Sequence, residues 1–178
     1  MIDLSKANPG SYRVKPKWFE ALWMITELLF IYNPLQWSSK IRVFILNLFG
    51  ATVASNVIIR PRVRIRFPWN LTIGKNSWIG ESVWISNKGK VVIGENCAIS
   101  QGTFITTGSH DVKRTMDVII KEVHIKDGVW VTSKCIILQG VTLHKNAVIT
   151  PGSVVVKDIP EAAIFGGNPA KFIKQRFE

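Results

Sequence analysis

Between residues 53 and 160 the chain keeps time in sixes. From Ile73 the count gives Ile73, Ile79 and Ile85, then, after a slip of two residues, Ile93, Ile99 and Ile105. It resumes as Ile125, Val131, Ile137, Leu143, Ile149 and Val155, and Val53, Ile59 and Ile65 extend it backward. Every one of these positions is a branched aliphatic. A helix repeats at 3.6 residues and a flat strand at two, so neither generates a strict six. The residue after the aliphatic is often small (Gly74, Gly80, Ser86, Gly94, Ser100). The fourth residue after it is small or β-branched, as at Ser77, Val83, Cys97, Thr103, Cys135, Val141, Ala147 and Ser153. The pattern predicts a prism of short strands, with one hexad per side and three sides per coil. The aliphatics point inward, and about five coils stack roughly 4.8 Å apart. The slips Leu71-Thr72-Ile73, Val91-Val92-Ile93 and Val123-His124-Ile125 add their two residues at the same corner.

The rhythm fails after Ile105, where the interior positions would be Asp111 and Asp117. Unpaired charges cannot fill an apolar core, so 109–122 is expected to project as a loop, a good place for chemistry on a rigid repeat. Ahead of the repeat, 15–31 reads as an amphipathic helix, with Trp18, Leu22, Ile25 and Leu29 on one face and Glu20 and Glu27 off it. Asn33-Pro34 stops it, and 38–48 forms a second helix ending at Gly50. Two roles are open to these helices. They cap the open end of the prism, or Trp18, Phe19, Trp23, Phe30 and Trp37, beside Lys15 and Lys17, rest on a bilayer. The expected organisation is a helical cap over 1–52, the prism over 53–160 and a tail over 161–178.

Composition narrows the class. The 178 residues are 47% hydrophobic and 20% charged, which excludes a disordered chain, and two cysteines exclude a disulfide scaffold. No run of 18 uncharged apolar residues reads as a spanning helix, and Met-Ile-Asp-Leu-Ser-Lys lacks a secretory signal pattern. A cytoplasmic protein is expected, with docking at the inner face of the membrane left open. The net charge of +11 is uneven: residues 1–70 hold ten Lys/Arg against Asp3, Glu20 and Glu27. Along 59–67, Arg60, Arg62, Arg64 and Arg66 alternate with Ile59, Pro61, Val63, Ile65 and Phe67. That stripe is either a solvated face or a site for an anionic acceptor or headgroup.

The hexads, the interrupting loop and the tail resemble the hexapeptide-repeat acyltransferases. Thr107-Gly108-Ser109-His110-Asp111, Val129-Trp130-Val131, Val155-Val156-Lys157-Asp158-Ile159-Pro160 and Gly166-Gly167-Asn168-Pro169-Ala170-Lys171 look like the maltose/galactoside O-acetyltransferase branch. Phe67-Pro68-Trp69-Asn70-Leu71, Val83-Trp84-Ile85-Ser86-Asn87 and Ile99-Ser100-Gln101-Gly102 look like the acetyltransferases assigned to colanic acid biosynthesis. The resemblance implies an all-β, left-handed parallel β-helix, acetyl-CoA as donor and a saccharide as acceptor. It also implies a homotrimer whose sites lie between neighbours; no nucleic-acid partner is expected.

Acetyl transfer from a thioester to a hydroxyl needs a base, a donor to the developing oxyanion, and alignment. By resemblance His110 is the base, and Asp111 or Asp117 could orient its ring. Ser133 supplies a backbone N–H to the thioester carbonyl. Asn87 and Trp84 face the acceptor; the alternatives are a corner asparagine and plain packing. Trp130, Pro151, Val156, Lys157, Lys171 and Lys174 fall where the cofactor lies. Lysine at 171 and 174 replaces arginine, and Pro151 and Val156 replace small and hydroxyl residues. His110, His124 and His144 occupy different phases of the hexad, so no metal site is expected. Cys97 and Cys135 read as buried free thiols. Two rival functions remain, N-acetylation of a nucleotide-linked amino sugar and a non-catalytic membrane-docking scaffold.

Overall fold

A computed structural model describes residues 3–8, 10, 12–35 and 38–177; Trp37 therefore lies outside the described residues. The hexads wind into a parallel β-helix. The first coil holds β1 (Thr52–Val53), β2 (Ile58–Ile59) and β3 (Arg64–Ile65). The second holds β4 (Leu71–Ile73), β5 (Trp78–Ile79) and β6 (Trp84–Ser86). The third holds β7 (Val91–Ile93), β8 (Ala98–Ile99) and β9 (Phe104–Thr106). A hairpin of β10 (Gly108–His110) and β11 (Val118–Ile120) follows. The fourth coil is β12 (Val123–Ile125), β13 (Trp130–Val131) and β14 (Ile136–Ile137). The fifth is β15 (Thr142–Leu143), β16 (Val148–Ile149) and β17 (Val154–Val155). Beyond it Ile159 bridges Leu143, and β18 (Ala163–Gly166) extends the second face before β19 (Lys171–Gln175) folds back antiparallel. Five full coils thus carry the start of a sixth.

Stacking is residue on residue. Ile73, Ile93, Ile125 and Leu143 form one column, Ile59, Ile79, Ile99, Val131 and Ile149 a second, and Ile65, Ile85, Ile105, Ile137 and Val155 a third. All are buried, as are the fourth-place residues from Ser77 to Ser153. Cys97 and Cys135 are buried free thiols, and burial pushes the Cys97 thiol above its usual range. The corner between the second and third faces turns through a left-handed residue at Arg62, Ser82, Gly102, Lys134 and Gly152. That geometry fixes the turn and leaves no room for insertion. The corner from the third face to the first is longer, through Phe67–Asn70 and Asn87–Lys90. There the hairpin leaves, as 109–122 was expected to do.

The two helices are α1 (Lys17–Thr26), continued by a π-helical turn over Glu27–Ile31, and α2 (Ser39–Leu48), whose Ser38 Oγ accepts from Lys40 N. They lie across the first coil, where three strands have no coil beneath them. Each strand is satisfied by a side chain from the helices. For β1, the Asn47 amide accepts from Val53 N and donates to Val53 O, both at 2.8 Å. For β2, Ser39 Oγ accepts from Ile59 N at 2.7 Å and donates to Val57 O at 3.0 Å, while Arg42 donates to Ile59 O at 3.3 Å. For β3, Glu27 accepts from Ile65 N at 2.5 Å and Trp23 Nε1 donates to Ile65 O at 2.8 Å. The helices cap the prism.

The cap corrects the expected orientation of the first helix. Trp18, Leu22, Ile25 and Leu29 are exposed, and Phe19, Trp23, Phe30 and Ile31 pack inward with Phe49. The arginine stripe is corrected too. Its inward–outward alternation holds, but it bends around a corner and is not one free strip. Arg62 pairs with Glu81 at 3.0 Å, and the Arg64 guanidinium lies over Trp84 at 4.9 Å and near Tyr32 at 5.7 Å.

Two predictions come from the cap. Asn47→Ala strands a buried N–H and C=O of β1 and lowers unfolding free energy by about 1–3 kcal/mol in urea titrations. Burial raises the Glu27 carboxyl above the usual range, and that effect exceeds the pull of the Ile65 N–H and of Arg64 and Arg66. A raised carboxyl binds its proton more tightly folded than unfolded. Its contribution to stability is therefore present at low pH and lost as pH rises through the folded value. Glu27→Gln keeps the acceptor for Ile65 N–H, so the variant should lose less stability than the parent as pH rises above the ordinary carboxylate range.

Candidate active site

His110 ends β10 on the hairpin, exposed to solvent, opposite Val118. Its Nδ1 lies 2.8 Å from Met116 O. A carbonyl can only accept, so Nδ1 carries the proton and Nε2 keeps its lone pair. Met116 takes a left-handed φ of 60°, and Met116 N donates to Asp111 O at 2.9 Å, so the backbone bends to present that carbonyl. Neither carboxylate orients the ring. Asp111 Oδ1 accepts from Lys113 N and Arg114 N at 3.0 and 3.2 Å, closing the turn. Asp117 Oδ1 accepts from Asn8 N at 2.7 Å, while Val118 N donates to Asn8 O at 3.0 Å. The N-terminal arm thus anchors the hairpin from outside. Neither Met116 nor Asn8 carries a side-chain signal, because both act on the hairpin through backbone atoms.

The remaining candidates fall into separate places. On the second face, Trp130 is half exposed and its Nε1 donates to Ser100 Oγ at 3.1 Å. Ser133, at the following corner, reaches Gln101 Oε1 through Oγ at 3.4 Å. Its backbone N–H has no hydrogen-bond acceptor among the described residues. Pro151 is exposed at the same corner one coil on. Just below, Arg60, Trp78, Glu81, Ala98, Ser100 and Gln101 line a recess of about 350 Å³. Val156, Lys157 and Lys171 line a second recess, of about 280 Å³, with Phe165, Pro169 and Ala170 at the far end of the prism. Lys174 stands outside it on β19, opposite Ile164.

Asn87 is corrected. Its side chain is fully buried: Oδ1 accepts from Phe67 N at 3.0 Å and Nδ2 donates to Phe67 O at 2.6 Å. It straps the loose corner of one coil to the next and faces no groove of this chain; nor does it take a left-handed φ. Trp84 is partly exposed, packs on Phe104 at 4.7 Å and borders a cleft with Glu20, Glu27, Arg64 and Arg66. Glu20 and Glu27, which the sequence pattern places off the apolar face, line this cleft. No group of three or more His, Cys, Asp or Glu suited to a metal occurs among the described residues.

A stacked prism with an extruded histidine hairpin defines a hexapeptide-repeat acyltransferase, and comparison places the chain within that class. It is 34% identical over 157 residues to WcaF of Escherichia coli (strain K12), named a "putative colanic acid biosynthesis acetyltransferase", covering 88% of this chain and 86% of that protein. It is 32% identical over 129 residues to the galactoside O-acetyltransferase of the same organism, covering 70% and 64%. The galactoside acetyltransferase structure in complex with coenzyme A superposes with a TM-score of 0.81 at 24% identity, over 92% of this chain and 85% of that one. A maltose O-acetyltransferase from Clostridium difficile 630 superposes at 0.76 and 27%, over 91% and 84%. No protein-family model matches. The chain belongs to the hexapeptide-repeat acetyltransferases, homologous to WcaF and the galactoside and maltose enzymes, and is an acetyl-CoA-dependent acetyltransferase of the left-handed β-helix type.

Because Asn87 straps two coils, Asn87→Ala should lower unfolding free energy by about 1–3 kcal/mol. Thermal denaturation checks it: an unchanged melting temperature with lost activity would return Asn87 to the acceptor site.

Proposed function

We propose that the chain moves acetyl from acetyl-CoA to a saccharide hydroxyl, with His110 Nε2 as the general base. The observation that carries this reading is the Nδ1–Met116 O hydrogen bond, which leaves Nε2 as the open lone pair of an exposed, anchored imidazole. His110 takes the hydroxyl proton as the oxygen attacks the thioester carbonyl. Met116 O then accepts from the imidazolium that forms. The Ser133 N–H supports the oxyanion of the tetrahedral intermediate. Collapse expels the coenzyme A thiolate, which recovers the proton from His110. Trp130 and Pro151 would line the pantetheine path, and Val156, Lys157, Lys171 and Lys174 the far, phosphate-bearing part. The names of WcaF and of the galactoside and maltose enzymes support a saccharide acceptor. The donor is an intracellular metabolite, which favours the cytoplasm.

His110 leaves at one edge of the third face and Ser133 lies at the other, so this chain alone does not bring base and oxyanion donor together. A homotrimer would complete each site, with His110 from one copy facing the Trp130–Lys157 region of the next.

His110→Ala should lower kcat by about 10²–10⁴-fold, with the melting temperature and KM for acetyl-CoA unchanged. Labelled acetyl-CoA offered with a panel of saccharide repeat units gives the readout, and an undiminished rate in the variant overturns the assignment.

A further inference from the structure

The cap helices are turned inside out. An amphipathic helix on a soluble domain sets its charges toward water and its apolar stripe toward the core. Here the acids of α1 and its π-helical turn go inward: the Glu20 side chain is only 12% exposed beside Arg13, and Glu27 is spent on Ile65 N. In α2 it is Arg42 that turns inward, 2% exposed, donating to Ile59 O and Leu35 O. Beyond the lysines at the helix starts, what is left outside is mainly apolar. Trp18, Leu22, Ile25 and Leu29 stand 47–67% exposed along α1 and its continuation, and Phe44 and Leu48 stand 67% and 68% exposed on α2. Both helices cover the same end of the prism, α2 on β1 and β2, the turn on β3.

The exposed charge of the two helices themselves has one sign. Between residues 4 and 80 the acids are Glu20 and Glu27, both directed inward. Lys15, Lys17 and Lys40 are exposed at the helix starts. An apolar helix face with a cationic rim and no exposed carboxylate of its own matches an anionic bilayer surface, in which acyl chains take the apolar side chains and headgroups the ammonium groups. No helix among the described residues is long and apolar enough to cross a membrane. The seventeenth to thirty-first residues span only about 22 Å as a helix, so α1 and its turn would lie in the interface plane.

We propose that the outward faces of α1 and α2 seat this end of the protein on an anionic lipid surface. The inference does not depend on which acceptor the enzyme uses. Its test is co-sedimentation of the full chain with vesicles of phosphatidylglycerol and phosphatidylethanolamine, against vesicles of phosphatidylcholine alone. The chain should bind the anionic vesicles, and more weakly as salt rises. The double variant Ile25→Asp, Phe44→Asp should weaken binding by at least about tenfold. Both positions are exposed, so its melting temperature and its activity on a soluble acceptor should match the parent. Lys17→Glu with Lys40→Glu, which keeps the apolar stripe, should bring binding down toward the phosphatidylcholine level. Absence of binding to anionic vesicles, equal binding to both kinds, or parent-like binding by the Asp variant overturns the proposal. So does a fall in sedimentation coefficient of the Asp variant without lipid, since the face would then belong to a second copy.

Discussion

A stacked β-helix satisfies its backbone by placing one coil on another, and the bottom coil has nothing below it. Exposed strand edges of that kind invite pairing with other chains, and covering them with an apolar surface would strand their polar groups. The cap meets both demands with five side chains: Asn47 on β1, Ser39 and Arg42 on β2, Glu27 and Trp23 on β3. Much else follows from that choice. Polar residues committed to the prism cannot also face water, so beyond the lysines at the helix starts the outer side of each helix is left mainly with aliphatic and aromatic residues. The same hydrogen bonds that finish the fold therefore create its most unusual surface.

The other constraint is the asymmetry of the three corners. Two of the turns in every coil are tight, and the left-handed column through Arg62, Ser82, Gly102, Lys134 and Gly152 holds the second–third corner to one geometry. The corner from the third face back to the first carries extra residues in the early coils, and only there does a hairpin fit without breaking the stack. Extrusion alone would give a loose histidine. The hairpin is stiffened by the antiparallel pairing of Gly108–His110 with Val118–Ile120 and by the contact of Asn8 with Asp117 and Val118. Asn87 reinforces the same corner one coil earlier through Phe67. The prism is rigid because its core is columnar, and the imidazole inherits that rigidity through backbone bonds.

The prism was legible because hexad periodicity is a property of side chains that point inward, and the interior admits only aliphatics. The failure of the rhythm at Asp111 and Asp117 located the hairpin for the same reason. The cap helices were misjudged in orientation. Amphipathicity read from sequence assumes that charge seeks water, whereas Glu20, Glu27 and Arg42 face inward, where Arg13 and the unpaired first-coil edge provide partners. The arginine stripe was read as one surface because the inward–outward alternation continues around a corner, where it no longer means a single strand.

The candidate site was legible only where a side chain would carry the chemistry. His110 stands out as an imidazole in the one segment that interrupts the repeat. Its orienting partner does not, since Met116 contributes a carbonyl that every residue possesses, and what singles it out is a left-handed φ. The two aspartates near His110 looked suited to the task by type and distance along the chain. Both are consumed by backbone N–H groups, Asp111 within its own turn and Asp117 on the N-terminal arm more than a hundred residues away. A neutral carbonyl in place of a carboxylate has a chemical consequence. It fixes the tautomer as firmly, but it supports the imidazolium by a dipole and not by a full charge. With His110 as the proposed base, acetyl transfer would draw more heavily on alignment of the thioester with the acceptor than on electrostatic help behind the histidine.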